Sequence, residues 1–91
     1  MLFGSARITN IKLTEYFYSA TAEVEENVAI EFRFLTDLDL VEKVIKPGTE
    51  IHYDGEISGD RKQGNWIVVN HWSLLSDYDR QYLDFRTKKN D

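Results

Sequence analysis

Most of the chain alternates between apolar and polar residues, which is the pattern of half-buried β-strands. The first alternating stretch has two phases: Ala6 and Ile8 are followed, one residue out of step, by Ile11 and Leu13. A strand with such a change of phase needs a bulge or a bend. The N-terminal segment therefore predicts one strand that is bent near its middle.

Two further alternating stretches predict a three-stranded meander. Tyr18 to Val24 alternate apolar residues with small polar and acidic ones, and Val28 to Phe34 repeat apolar side chains at every second position. Between them, Glu26-Asn27 is the expected tight turn, since asparagine is a common turn residue.

The period changes after Thr36. Apolar residues recur at three- and four-residue spacing as far as Ile45, which favours a short helix with Asp37 as its N-cap. Pro47-Gly48 ends this helix and opens a fourth strand. That strand is expected to place four residues on one face: Ile51, Tyr53, Gly55 and Ile57.

The last alternating stretch predicts a hairpin, with a polar turn at Ser58 to Asn65 and a fifth strand at Trp66 to Leu75. Trp66, beside the polar turn, is expected to be half exposed, whereas Trp72 is the better core candidate. The expected inward residues are Trp66, Val68, Trp72 and Leu74, with Ile67, Val69 and His71 on the opposite face.

Three meandering strands, a short helix and a hairpin follow the element order of the five-stranded Greek-key barrel called the OB-fold, in which a bent first strand serves both halves. Gly55 fits this fold, because closing a five-stranded sheet needs sharp curvature and a glycine in mid-strand permits it. The predicted fold class is therefore all-β, an OB-fold barrel with a short helix between strands 3 and 4.

Length and composition limit the classes of protein that are possible. A chain of 91 residues with 42% hydrophobic residues is one folded domain rather than a disordered chain. It has no cysteine, which excludes disulfides and thiolate chemistry and is typical of a reducing compartment. It contains neither a signal-like N-terminus nor about 18 consecutive apolar residues. We therefore expect a cytoplasmic protein.

The net charge of −5 is concentrated in the middle of the chain. Glu15 to Asp60 hold 12 acidic and 3 basic residues, whereas both ends are weakly basic. A segment this acidic repels a phosphate backbone. The charge therefore argues against a nucleic-acid groove of the usual basic kind.

The stretch IKPGTEIHYDGEISGDRKQGNWIVVNHWSLL, Ile45 to Leu75, resembles the last third of OB-fold domains of the anticodon-binding and replication-protein kind. The resemblance implies binding of single-stranded nucleic acid or oligosaccharide across strands 2 and 3. Two loops would flank that site, Thr14 to Phe17 and Gly59 to Asn65.

The resemblance also implies roles for individual side chains. Two aromatic residues of the first loop would stack on bases, two basic residues of the second loop would contact phosphates, and Gln63 or Asn65 would read base edges. Arg33, on the outward side of strand 3, would be the central cation. The implied nucleic-acid-binding residues are Tyr16, Phe17, Arg33, Arg61, Lys62, Asn65 and Trp66.

Each implied role has a structural alternative. The charged segment Asp60 to Gly64 is also typical of a solvated hairpin tip, and Tyr16 to Tyr18 are also typical of core residues at a bent strand. Three carboxylates are expected on the same outward surface, where they would weaken phosphate binding: Glu23, Glu25 and Glu31.

The C-terminal segment predicts a helix with Ser76 as its N-cap. Four apolar residues fall on one face at spacings of three, four and three: Leu75, Tyr78, Tyr82 and Phe85. This face either caps an open end of the barrel or binds another protein or a second copy of the chain. We therefore divide the chain into an OB-fold barrel at residues 1–75 and a C-terminal helix and tail at residues 76–91.

Catalysis is the least supported class of function. His52 and His71 lie on adjacent predicted strands near Asp54, which is more typical of surface residues than of a metal pair. The sequence has no nucleophile motif and no phosphate-binding glycine loop, so we expect no enzyme, metal or cofactor.

Two hypotheses remain after catalysis is set aside. The first is a module that binds single-stranded DNA or RNA, with weak binding expected unless the basic residues gather on one side: Arg7, Lys12, Arg33, Arg61 and Lys62. The second is an acidic OB-fold module that binds a protein, either as a nucleic-acid mimic or as a subunit of an assembly.

Overall fold

A computed structural model of the chain describes residues 1–76. Its elements are, in chain order, β1 (Leu2–Leu13), β2 (Tyr18–Glu25), β3 (Val28–Phe34), α1 (Leu38–Val44), β4 (Glu50–Asp60) and β5 (Gly64–Leu74). No helix within residues 1–76 has the length and hydropathy that a bilayer-spanning segment needs. The predicted C-terminal helix, with Tyr78, Tyr82 and Phe85, lies outside the described residues and stays a prediction.

The five strands form a closed barrel in the order β1-β2-β3-β5-β4. β3 and β5 are parallel neighbours, with Glu31 opposite Trp66 and Phe34 opposite Val69. The other neighbouring strands pair antiparallel. This is the strand order of the five-stranded Greek-key barrel, and it confirms the predicted OB-fold.

β1 is bent and belongs to both halves of the barrel. Leu2 to Arg7 pair with β4, and Arg7 to Leu13 pair with β2. The pairing with β2 is irregular between Ile8 and Asn10, where the sequence changes phase. The predicted bulge in the first strand is therefore confirmed.

The barrel interior holds the apolar residues at alternate positions of the strands. Phe32, Ile8 and Ile51 are fully buried, and each such side chain contributes about 1.5–3 kcal/mol through burial. Val41 of α1 and Ile45, which follows the helix, are buried in the same cluster. The short helix is therefore held to the barrel by apolar packing.

The predicted tight turn between β2 and β3 is confirmed, and Gly55 lies within β4 as predicted, where the structure shows a close approach of β5. Asn27, in the turn between β2 and β3, has a φ of 63°, a left-handed conformation that asparagine adopts more readily than most residues. Gly55 is buried within β4, and a Cβ atom there would lie 2.3 Å from the Val68 carbonyl oxygen. Only glycine allows the two strands to approach this closely.

The predicted inward face of β5 is wrong in its first half. Ile67 and Val69 are buried, whereas Trp66 and Val68 are only half-buried. The cause is a change of register in the β4–β5 pair, which leaves Asn70 without a partner on β4. Beyond this bulge the inward residues are those predicted, and they pack against the core: Trp72 and Leu74.

Three details around β4 and α1 also differ from prediction. Ile57, predicted to point inward, is 61% exposed, because β4 continues to Asp60 beyond the buried core. The polar turn is shorter than expected, since only residues 61–63 separate the two strands. Asp37 occupies the N-cap position, but it has a left-handed φ of 54° and its side chain makes no cap hydrogen bond.

Candidate functional site

Arg33 is the centre of a cluster on the outer face of the barrel. Its Cζ atom lies 3.6 Å from the centre of the Trp66 ring and 4.7 Å from that of Phe17, both within cation–π range. Arg33 is on β3, Trp66 is on the adjacent β5, and Phe17 ends the loop between β1 and β2. The fold thus joins three residues that are far apart in the sequence.

Arg33 donates hydrogen bonds to Glu31 and Gln63, and Ser19 in turn donates to Glu31. Arg33 Nε donates to Glu31 Oε2 at 2.9 Å, and the Ser19 hydroxyl donates to the same oxygen at 2.7 Å. Arg33 Nη2 donates to Gln63 Oε1 at 2.8 Å. We call these residues the Arg33 cluster: Phe17, Ser19, Glu31, Arg33, Gln63 and Trp66.

Strand geometry explains why these groups meet. Glu31 and Arg33 are two residues apart on β3, so their side chains face the same side of the sheet. Ser19 on β2 is the cross-strand partner of Arg33, and Trp66 on β5 is the partner of Glu31. The cluster is therefore a direct product of the pairing of β2, β3 and β5.

The charges within the cluster balance each other. The side chains of Arg33 and Glu31 are only 15% and 30% exposed. Burial raises the pKa of Glu31, but hydrogen bonds from Arg33 and Ser19 and the nearby positive charges of Arg33 and Lys12 outweigh it, so this pKa lies below its ordinary value. Glu31 is therefore ionised at neutral pH and compensates the charge of Arg33.

The loop between β1 and β2 and the first residue of β2 carry three consecutive aromatic side chains that differ in exposure. Tyr18 is buried in the core, Phe17 is half-buried, and Tyr16 is 75% exposed. Thr14 fixes the loop, because its hydroxyl and its backbone N–H donate to the Phe17 carbonyl at 2.7 and 2.8 Å. Tyr18 is therefore a core residue, whereas the exposed Tyr16 is free of the core and its stacking on bases stays a prediction.

Asp60 organises the turn between β4 and β5. Its Oδ1 accepts the backbone N–H groups of Lys62 and Gln63, and the turn thereby brings Gln63 to Arg33. Of the predicted site residues, the fold brings Phe17, Arg33 and Trp66 into contact. The other four predicted residues lie within two positions of a cluster residue along the sequence: Tyr16, Arg61, Lys62 and Asn65.

The sequence analysis does not identify Ser19 as a site residue, and it does not identify the contact between Glu31 and Arg33. Glu31 is predicted only as a charge that opposes phosphate binding, whereas in the structure it is the ion-pair partner of Arg33. The two-residue spacing of opposite charges on one strand is the signal that points to this pair.

The basic residues gather only in part. Lys12 on β1 pairs opposite Ser19, which in turn pairs opposite Arg33, so Lys12 lies on the same face of the sheet. Arg7 instead forms an ion pair with Glu23 at 2.8 Å. The groove around that second pair is acidic, with Glu25, Glu26 and Glu50.

The two histidines lie along a different, shallow groove of about 680 Å³ that Phe3 and Trp72 also line. His71 Nδ1 is 3.1 Å from Asp54 Oδ1, and the His71 side chain is 83% exposed. Across residues 1–76, no three histidine, aspartate or glutamate side chains are grouped as a metal site requires.

No protein-family model matches the chain, and no curated protein matches its sequence. Among solved structures, it is similar to a chain of the S. pombe Stn1–Ten1 complex, with a TM-score of 0.69 and 18% sequence identity. The match covers 97% of this chain and 70% of that chain. Together with the closed five-stranded barrel, this similarity identifies the fold of the chain as an OB-fold.

Proposed function

We propose that this chain is an OB-fold binding module that takes single-stranded nucleic acid on the Arg33 cluster and the two loops beside it. The observation that carries the proposal is the stack of Arg33 on Trp66, at 3.6 Å from Cζ to ring centre. OB-folds that bind single strands combine aromatic surfaces with a few cations on this face of the barrel. The role is binding, without catalysis.

Aromatic and basic groups have separate tasks in this proposal. Tyr16, which is 75% exposed, and Trp66 offer ring faces to bases, and each stacked base contributes about 1–3 kcal/mol. Arg61 and Lys62 on the β4–β5 turn meet phosphates, and the amide of Asn65 reads base edges.

Replacing Trp66 with alanine tests this role. We expect Trp66→Ala to weaken the binding of single-stranded DNA or RNA roughly tenfold or more, because it removes one stacking surface. The matched control is Phe3→Ala, since Phe3 is an 81% exposed aromatic residue on β1 outside the cluster. We expect this control to bind like the wild type.

Fluorescence anisotropy of labelled oligonucleotides measures these affinities, and circular dichroism establishes that each variant is folded. Equal affinities for the wild type and Trp66→Ala contradict the assignment of the site. Absence of binding by the wild type at every salt concentration between about 50 and 200 mM, a range over which phosphate contacts weaken while repulsion by the net charge is screened, contradicts the function itself.

A protein partner is the second candidate, and one comparison favours it. The similar solved chain belongs to a complex of two proteins. The net charge of −5 suits a basic protein surface better than a polyanion. In this alternative, an acidic barrel docks its partner through the predicted C-terminal residues Tyr78, Tyr82 and Phe85.

Ending the chain after Leu75 tests the second candidate. The full chain and the shortened chain are compared in affinity capture from a lysate, and the full chain with Tyr82→Ala and Phe85→Ala serves as a milder variant. We expect both changes to abolish the captured partner while circular dichroism shows a folded barrel. A partner that survives truncation contradicts this role of the C-terminal segment, and an unfolded product identifies the segment as structural.

A further inference from the structure

Glu31 occupies one of the edges through which Arg33 could bind a phosphate. Arg33 Nε and Nη2 lie 2.9 and 3.4 Å from the two carboxylate oxygens of Glu31, and Nη2 also donates to Gln63 at 2.8 Å. A guanidinium binds a phosphate through the same kind of paired N–H contact. The central cation of this face is therefore already engaged within the chain.

The Glu31 carboxylate is fixed in this position. Ser19 donates a hydrogen bond to it at 2.7 Å, and only 30% of the Glu31 side chain is exposed. Moving the carboxylate away breaks that hydrogen bond and separates a partly buried ion pair, which is unfavourable. An incoming phosphate must therefore compete with a partner that is already in place.

We propose that Glu31 is the specificity-determining residue of this face, and that it sets the face to bind unstacked bases rather than phosphates. The inference rests on the proposed nucleic-acid function. A phosphate beside Arg33 meets the negative charge of Glu31, whereas an uncharged base stacks on Tyr16 or Trp66 without that repulsion. Phosphate contacts are left to cations at the edges of the face: Lys12, Arg61 and Lys62.

Three variants isolate the charge of Glu31. Glu31→Gln keeps the shape of the side chain and one acceptor oxygen for Arg33 but removes the charge. Glu26→Gln is the matched control, because it removes the same charge from an exposed turn at the opposite end of β3 from Arg33. The double variant with Glu31→Gln and Arg33→Gln has the net charge of the wild type but lacks the central cation.

Each protein is titrated by anisotropy with two labelled probes of about 12 nucleotides. One is oligothymidylate, and the other is an abasic strand with the same number of phosphates and no bases. Titrations between about 50 and 200 mM salt give the slope of log affinity against log salt concentration. Circular dichroism and thermal unfolding establish that every variant is folded.

The wild type is expected to bind oligothymidylate and to bind the abasic strand at least about tenfold more weakly, because the abasic strand offers nothing to stack. In Glu31→Gln the charge of Arg33 is unopposed. Its affinity for the abasic strand therefore rises, and its salt slope steepens by about 0.7, the value for one added contact with a single-strand phosphate. Glu26→Gln keeps the wild-type slope, and the double variant returns to it.

Equal salt slopes for Glu31→Gln and Glu26→Gln overturn the inference. Wild-type protein that binds the abasic strand as tightly as oligothymidylate also overturns it. Both results leave the nucleic-acid function standing, since oligothymidylate still binds. If neither the wild type nor any variant binds either probe at any salt concentration between about 50 and 200 mM, the proposed function fails and the inference fails with it.

Discussion

Gly55 lies where β4 and β5 approach each other closely, and alanine at this position tests why the barrel needs a glycine. A Cβ atom there would lie 2.3 Å from the Val68 carbonyl oxygen and 2.9 Å from Ile67 Cγ2. Both distances are far inside van der Waals contact. Because the nearer atom belongs to the backbone, a strand has to move to make room.

The expected cost of Gly55→Ala is about 2 kcal/mol. Forcing extra atoms into a packed interior costs about 1–3 kcal/mol, and the upper end applies here because the blocking atom belongs to the backbone. The lower entropy of the unfolded alanine chain returns about 0.4–1 kcal/mol. A domain of this size has a total stability of the order of 5–10 kcal/mol, so the loss is a large fraction of it. The melting temperature should fall by about 8–16 °C.

Gly4→Ala is the matched control on the neighbouring strand. Gly4 pairs with Tyr53 of β4, and a Cβ atom at residue 4 would come no closer than 3.7 Å, to the hydroxyl oxygen of Tyr53. This is an ordinary contact, so we expect a stability within about 0.5 kcal/mol of the wild type or slightly above it. Urea and thermal unfolding, followed by circular dichroism and tryptophan fluorescence, measure both variants.

Two outcomes refute this reasoning. If Gly55→Ala unfolds at the same urea concentration as the wild type, the close approach of the strands does not require a glycine. If Gly4→Ala and Gly55→Ala lose the same stability, the space around the added methyl group does not decide the effect. In either case the cause assigned to the glycine in β4 is wrong.

The β2–β3 turn and the Arg33 ion pair give two further predictions. Residue 27 has a left-handed φ of 63°, so Asn27→Ala should lower the free energy of unfolding by about 1 kcal/mol while Asn27→Gly leaves it nearly unchanged. Equal effects of the two variants in urea unfolding contradict this prediction. Glu31 has a pKa below its ordinary value of 4.5 in the folded chain, so its ion pair stabilises the fold above about pH 4.5 and is lost as the pH falls through the folded-state pKa. Urea unfolding between about pH 6 and pH 3 measures the difference in free energy of unfolding between the wild type and Glu31→Gln. We expect this difference to shrink toward the acid end, and a difference that does not change with pH contradicts the prediction.

The parts of the fold that the sequence predicts correctly are those where it carries a clear period. The phase change between Ile8 and Ile11 marks the bend of β1, which the pairing of β1 with two strands confirms. The bulge in β5 leaves no such mark, because Ile67, Val68 and Val69 are all apolar and suit either face of a strand. The position of this bulge is set by the pairing of β5 with β4, which the local sequence of β5 does not reveal.

The candidate site follows from the sequence only in part, for the same reason. The order of the strands, and the alternation of side chains between the two faces of each strand, predict that Arg33 lies on an outward face between the two loops. Trp66 reaches Arg33 because the β5 bulge reverses the predicted phase, which no local pattern reveals. The contact with Gln63 depends on the shape of a turn that Asp60 fixes through backbone hydrogen bonds. The alternation of residues along the strands does not predict it.

Under the proposed function, the net charge of the chain and the local charge of the site act on nucleic-acid binding in opposite directions as salt is added. The net charge of −5 repels a polyanion, and salt screens that repulsion over a Debye length of about 8 Å at physiological ionic strength. Contacts of Lys12 or Lys62 with phosphates instead weaken as salt rises. Because Glu31 balances Arg33, few such contacts remain, and the two trends largely cancel in the wild type. A base-stacking face on an acidic barrel therefore binds oligothymidylate with little dependence on salt, whereas a barrel that binds only protein binds neither strand at any salt concentration.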